Sequence, residues 1–260
     1  MSKTEPILLT ERRGAIAIVT LNRPDKRNAL SEALWSDLKK TFESFGPDVR
    51  CVVLAGAGKH FCAGANLGGG AAGSETAGSS EGPDQMDSEA ARLFSAGTPV
   101  VAAIQGAAIG AGFGLACLAD FRVGCPEARF SANFARLGYH HILGLSITLP
   151  AIVGQQHALG LLYTGRRLKG DEALAIGLCD RLVTGEELRG EAHAMAADIA
   201  ASAPLAVRSI RETMRAGLSD RFRAATEREA AVQEVLESTW DLTEGVRAAR
   251  ERRPARFEAR

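Results

Sequence analysis

At 260 residues and 27.4 kDa, the chain can bury roughly 70–75% of its unfolded surface, which suits one full-sized domain with a trailing extension. A hydrophobic fraction of 46% and a charged fraction of 24% are those of a soluble globular protein. Lysine plus arginine balances aspartate plus glutamate at 31 each, so no global field draws the chain to nucleic acid or a membrane surface.

In chain order, Ile7–Thr10 and Ala15–Leu21 read as two strands joined at Arg13-Gly14. Ser31 is a good N-cap for a helix carrying Leu34, Leu38 and Phe42 at helical spacing, and Gly46-Pro47 stops it. Arg50–Ala55 is a buried strand. Residues 68–85 are small, polar and glycine-rich; burial cannot offset their ordering entropy, so a mobile loop is expected. Pro99–Ile104 is a further strand, entering a glycine-rich helix start over Gly106–Leu118, and Asp120–Gly124 is a third core strand. This alternation implies an α/β fold with parallel strands. Beyond Leu145 the pattern turns largely helical. Thr184 and Glu187 have capping-box spacing, and Pro204 suits the first turn of the next helix. The alanine- and arginine-rich last third reads as a helical extension whose apolar face is an oligomer contact.

Charge is uneven locally. Six arginines stand between Val246 and Arg260 against Glu251 and Glu258, either a solvated helix end or a contact for phosphate. The five cysteines (51, 62, 117, 125 and 179) are odd in number and lack any CxxC, so reduced thiols are expected, with no disulfide framework and no metal site. The opening MSKTEP has no apolar run behind a basic stretch, and no segment reaches membrane-spanning length uninterrupted. The expected location is cytoplasmic.

Two glycine-rich turns each follow a strand: FCAGANL at 61–67 and GAAIGAGFG at 106–114. Glycine and alanine at such places let backbone N–H groups face a ligand without side chains in the way. Two amides converging on one carbonyl oxygen make an oxyanion hole, typically a large electrostatic contribution in acyl chemistry. Singly, each turn reads equally as close packing. Competing motifs fail on spacing. A dinucleotide fingerprint from Gly110 needs glycine or alanine where Leu115 stands, a nucleophile elbow around Ser146 needs glycine where Thr148 stands, and no phosphate-binding GxxxxGKS/T occurs.

The strings LNRPDKRNAL (21–30), HFCAGANL (60–67), PVVAAIQG (99–106), the second glycine turn into Ala119-Asp120, ALAIGL (173–178) and Phe257 after a basic run together resemble the crotonase (enoyl-CoA hydratase/isomerase) superfamily over nearly the whole chain. The resemblance implies a spiral of repeated β-β-α units with a C-terminal helical trimerisation region. It would divide the chain into an acyl-CoA-binding core (1–200) and a helical extension (201–260) for oligomer contacts and completion of the CoA pocket. It implies an acyl-CoA substrate, coenzyme A entering only as part of it, no separate cofactor, and a homotrimer or dimer of trimers. By the same resemblance, the amides of Ala65 and Ala111 are the oxyanion donors. Lys26, Arg27, Ala63, Asn66, Leu67, Gly110, Phe134 and Phe257 fall along the CoA and acyl pocket.

The chain departs from the family at its acids. The two glutamates that place and split water fall here at Gly114 and Phe134, and residues 129–170 contain no aspartate or glutamate. Each lost acid–base group costs typically 10²–10⁴ in rate. Hydration by the usual mechanism is therefore not expected. Isomerisation, decarboxylation or thioester hydrolysis is favoured, with His141 first and His140 second as the proton-moving group. Non-catalytic acyl-CoA binding is the alternative.

Overall fold

The computed structural model describes residues 5–65 and 97–260; the loop expected at 68–85 lies outside them. Strands β1 (Leu8–Arg13) and β2 (Ile16–Leu21) form the opening antiparallel hairpin, turning at Gly14 and Ala15. The chain then runs through α1 (Glu32–Glu43), β3 (Cys51–Gly56), β4 (Val100–Ile104), β5 (Ala107–Ile109), α2 (Ala111–Leu118), β6 (Phe121–Gly124) and β7 (Arg129–Ser131). After these come α3 (Leu145–Val153), α4 (Gln155–Thr164), β8 (Leu168–Lys169), α5 (Gly170–Ala175) and β9 (Arg181–Leu182). Four helices close the chain: α6 (Leu188–Ala201), α7 (Pro204–Met214), α8 (Leu218–Glu237) and α9 (Trp240–Glu251).

The main sheet has the order β1-β2-β3-β4-β6-β9 and is parallel from β2 onward. Every residue of β3 and β4 is buried, because both faces of the sheet are covered. Val52, Leu54, Ala102 and Ile104 face the larger core, with Phe113 and Phe130. Alternate residues Val53, Ala55, Val101 and Ala103 pack on Leu188, Ala192 and Ala196 of α6. The period of two along each strand thus serves two cores at once.

A second, three-stranded sheet (β5-β7-β8) corrects the expectation of a helix from Gly106. Residues 107–109 pair in parallel with 129–131, and the helix starts only at Ala111. Gly106 (φ +55°) and Gly110 (φ +56°) turn the chain into and out of this short strand. Ser31 caps α1 as expected, accepting from Leu34 N at 3.3 Å, and Pro204 opens α7. Thr184 and Glu187 do bond reciprocally, but α6 begins at Leu188, so they close the turn before it.

The C-terminal helices are fastened to the core. Asp120, just before β6, accepts from Val100 N (2.8 Å), Arg211 Nε (3.0 Å) and Arg215 Nη2 (2.6 Å), pinning α7 and its C-terminal turn. Helix α9 lies against the 3₁₀ turn Ala135–Leu137, and the fit is at backbone level. A Cβ on Gly138 would sit 2.6 Å from Leu242 Cα, and one on Gly245 would sit 2.5 Å from the Leu137 carbonyl carbon.

Candidate active site

The two glycine turns meet. Leu30 N donates to Gly64 O (2.8 Å), Cys62 N to Ala107 O (2.9 Å) and Ile109 N to Cys62 O (3.1 Å), which stitches the first turn onto β5. A Cβ on Gly64 (φ +91°) would stand 2.6 Å from Ile109 O and 3.6 Å from Ala111 N, and one on Gly112 would collide with the Cys62 carbonyl. Only glycine permits this approach. Ala65 follows the first contact, and Ala111 is the first residue of α2. Its N–H is one of the free donors at a helix start, where the helix dipole also favours negative charge. Neither the Ala65 nor the Ala111 amide has a backbone acceptor among the described residues.

Lys26 and Arg27 are brought beside the first turn. They end a 3₁₀ turn, Pro24–Lys26, followed by Arg27 (φ +52°) and Asn28 (φ +55°), and Ala63 N donates to Arg27 O at 3.0 Å. Asn28 holds this arrangement and was not singled out from sequence. It is fully buried, accepts from Arg23 N (2.8 Å), and donates to Ala57 O (2.9 Å) and His60 O (2.8 Å). The left-handed conformation at an asparagine is the signal that could have found it. Asn66 and Leu67 lie outside the described residues.

Positions 114 and 134, where the family resemblance implies two acids, carry apolar groups. Leu143, wholly buried at φ +61°, packs on Gly114; a Cβ there would be 2.9 Å from Leu143 Cβ and Cδ1. Phe134 is 9% exposed, and its ring end lies 3.9 Å from where a Cβ on Gly110 would be.

His140 and His141 stack with ring centroids 4.1 Å apart, and both rings are tied to the protein. His140 Nδ1 lies 2.8 Å from His141 O, and His140 N donates to Gln233 Oε1 (2.9 Å). The buried His141 Nε2 lies 3.5 Å from Glu229 Oε1 of α8. Burial pushes the His141 imidazole down to about 4, with help from the neighbouring His140. Desolvation likewise raises the Glu229 carboxyl, against the bonds it accepts from Ser146 Oγ (2.5 Å), Gly144 N (2.9 Å) and Ser146 N (3.2 Å). A carboxylate thus reaches the histidines from 88 residues downstream of His141, beyond the acid-free stretch.

Phe257 stands apart from these groups. It lines a cavity of about 690 Å³ together with Ile109 and Asn133, beside the second glycine turn. The tail that carries it is clasped onto α9. Glu244 accepts from Arg253 (2.6 Å), Arg247 (2.6 Å) and Arg256 N (2.9 Å), and Asp241 accepts from Glu258 N (2.7 Å) and Ala259 N (2.9 Å).

The family model for enoyl-CoA hydratase/isomerase matches residues 11–260. The chain belongs to that family. An enoyl-CoA hydratase of Mycobacterium tuberculosis is 34% identical over 266 residues, covering 98% of this chain and 97% of its own. A probable enoyl-CoA hydratase of Rhodobacter capsulatus is 33% identical over 252 residues, covering 94% and 95%. Among solved structures, an enoyl-CoA hydratase/isomerase from Pseudoalteromonas atlantica superposes with a TM-score of 0.88 at 27% identity, covering 97% of this chain and all of that one. A carnitinyl-CoA dehydratase from Mycobacterium avium superposes at 0.86 and 30% identity, covering 98% and 100%.

The protein is thus a crotonase-superfamily member of the acyl-CoA enzyme type, with the mixed α/β architecture of its neighbours. This enoyl-CoA hydratase/isomerase relative carries no cluster of three metal-ligating side chains among the described residues. Nor is any described helix long and apolar enough to cross a membrane.

Proposed function

We infer that the protein binds a CoA thioester and stabilises its enolate or tetrahedral oxyanion with the amides of Ala65 and Ala111. The observation that carries this reading is the backbone contact between the two glycine turns, which leaves those amides without acceptors among the described residues. In a site shielded from water, two fixed donors require no reorganisation as charge develops, and losing one such donor typically costs 10²–10³ in rate. Lys26 and Arg27 beside Ala63 suit the CoA phosphates, because lysine and arginine both bind phosphate strongly.

With Gly114 and Phe134 in place of two acids, hydration by paired glutamates is not the reaction. Isomerisation, decarboxylation or thioester hydrolysis needs only one proton-moving group. His140 is the better placed of the two histidines, because His141 turns its Nε2 onto Glu229. The same inward turn favours a second reading, in which the protein holds acyl-CoA without converting it.

The test is incubation with saturated, 2-enoyl, 3-enoyl and malonyl-type CoA thioesters, followed by mass spectrometry and binding calorimetry. Conversion that is lost in a His140→Ala variant supports the first reading, and binding without conversion supports the second. Absence of binding by every thioester refutes both. The assembly that goes with this function is a homotrimer or dimer of trimers. Leu205, Ile210 and Met214 of α7, which are 79%, 62% and 78% exposed, suit burial against another subunit. A monomer mass by light scattering would count against it.

A further inference from the structure

The 690 Å³ cavity beside the second turn has a chemistry that the oxyanion amides do not explain. Its apolar part includes Ile109, Leu137 and Phe257, Ser131 and Asn133 add neutral polar groups, and its charged groups are all arginines, drawn from three separate stretches: Arg136, Arg166 and Arg167, and Arg252 and Arg253. No carboxylate lines it among the described residues. Arg166 is neutralised by Glu172 and Arg253 by Glu244. The other three are not neutralised among the described residues. Arg136 gives its Nε to the Thr164 carbonyl (2.6 Å), and neither Arg167 nor Arg252 forms an ion pair there. An apolar wall with three uncompensated guanidinium groups fits an amphiphilic ligand, a hydrocarbon body ending in an oxyanion.

The cavity's position says which part of a ligand reaches it. Ile109 is two residues from the Ala111 amide, and a Cβ on Gly110 would stand 3.4 Å from Asn133 Oδ1, on the cavity wall. Lys26 and Arg27, by contrast, flank the other glycine turn through Ala63. A thioester with its oxygen on both amides and its CoA arm along Lys26 and Arg27 has its acyl chain left to enter the cavity.

We propose that this cavity binds the far end of the acyl group and selects acyl-CoA substrates that carry a terminal carboxylate. The inference rests on the reading of the protein as a CoA-thioester binder. Arg136, Arg167 and Arg252 supply the anion contact, and the apolar wall covers the methylenes between carboxylate and thioester.

The experiment compares adipoyl-CoA with hexanoyl-CoA, of equal carbon count but differing in the terminal carboxylate, by calorimetry on the full chain. CoA and 3′-dephospho-CoA serve as controls. Binding of adipoyl-CoA is expected to be at least about tenfold tighter, the difference one charge-assisted hydrogen bond makes. In an Arg167→Gln/Arg252→Gln variant the preference should collapse to about onefold while the hexanoyl-CoA Kd stays put. Both side chains are exposed, so the variant should fold, which circular dichroism checks. Equal affinity of the wild type for the two thioesters overturns the proposal. So does a variant that weakens hexanoyl-CoA and CoA alike but spares 3′-dephospho-CoA, since the arginines would then serve the nucleotide phosphate. Failure of every thioester to bind removes the underlying reading itself, a result distinct from loss of the carboxylate preference alone.

Discussion

Removing the Glu229 carboxylate should loosen the segment that roofs α2. Gly144 precedes α3 and has no side chain to cap it, so Glu229 acts as a remote cap from α8. It accepts from Gly144 N (2.9 Å), Ser146 N (3.2 Å) and Ser146 Oγ (2.5 Å), and is itself 1% exposed. In Glu229→Ala these donors lose their acceptor inside the protein. At ~1–3 kcal/mol for each unsatisfied buried group, reduced by rotation of the serine hydroxyl and by water entering the space, the loss comes to about 3–5 kcal/mol. For a chain of this size that corresponds to a fall in Tm of roughly 6–20 °C. Glu229→Gln keeps one oxygen for Gly144 N and can donate to the serine oxygen, so only Ser146 N goes unpaired and the loss should be about half. Thermal unfolding at fixed protein concentration, with hydrogen exchange at the Gly144 and Ser146 amides, measures both. An alanine variant within about 0.5 kcal/mol of wild type, or a glutamine variant as damaged as alanine, would refute the capping argument.

Asn28→Ala leaves Arg23 N and the carbonyls of Ala57 and His60 unpaired, and should cost about 2–4 kcal/mol in urea unfolding. It should also weaken acyl-CoA binding, because Lys26 and Arg27 lose their anchor; wild-type affinity in calorimetry would count against that link. Gly64→Ala drives a methyl group toward Ile109 O at a φ that disfavours it, so a loss of about 1–3 kcal/mol and at least tenfold in thioester affinity is expected. Unchanged binding would show that the spacing of the two turns does not set the donor site. All five cysteines are buried, and burial pushes the Cys62 and Cys117 thiols up to about 12. A thiol reagent at pH 8 should leave the native protein unlabelled and titrate five groups in urea; fast labelling before denaturation would contradict the packing.

What could be read from sequence followed the range of the forces involved. Strands β3 and β4 announce themselves because parallel strands covered on both faces are continuous apolar runs, and Ser31 and Pro204 act within one helical turn. The glycine turns were legible because close backbone approach needs residues without side chains, whereas Ala65 and Ala111 were singled out within them only by the family resemblance. The short strands β5, β7 and β8, at two or three residues, carry no period to detect, so β5 read as the beginning of a helix. Glu229 was invisible for a different reason: its contacts with His141, Gly144 and Ser146 span 83–88 residues, and nothing in an α8 sequence rich in charge distinguishes the one carboxylate that turns inward. The arginines of the cavity come from three stretches whose meeting is a property of the fold alone.

That positions 114 and 134 carry no acid is a matter of packing as well as of residue identity. A glutamate at position 114 would have to displace Leu143, which is wholly buried and held in a left-handed conformation between Ile142 and Gly144. Position 134 is filled by an aromatic ring that is 9% exposed and lies along the Gly110 turn, where a carboxylate would be largely desolvated. Leu143 and Phe134 belong to the same continuous core as Ala111 and Phe113. The apolar wall therefore braces the start of α2, whose first amide, that of Ala111, is the proposed donor. On the proposed function, apolar packing at positions 114 and 134 fixes the oxyanion donors, while the cations sit at a distance, beside Ala63 and in the arginine-lined cavity. Under the two proposals, such a site would hold a thioester oxygen and sort acyl groups by their far ends.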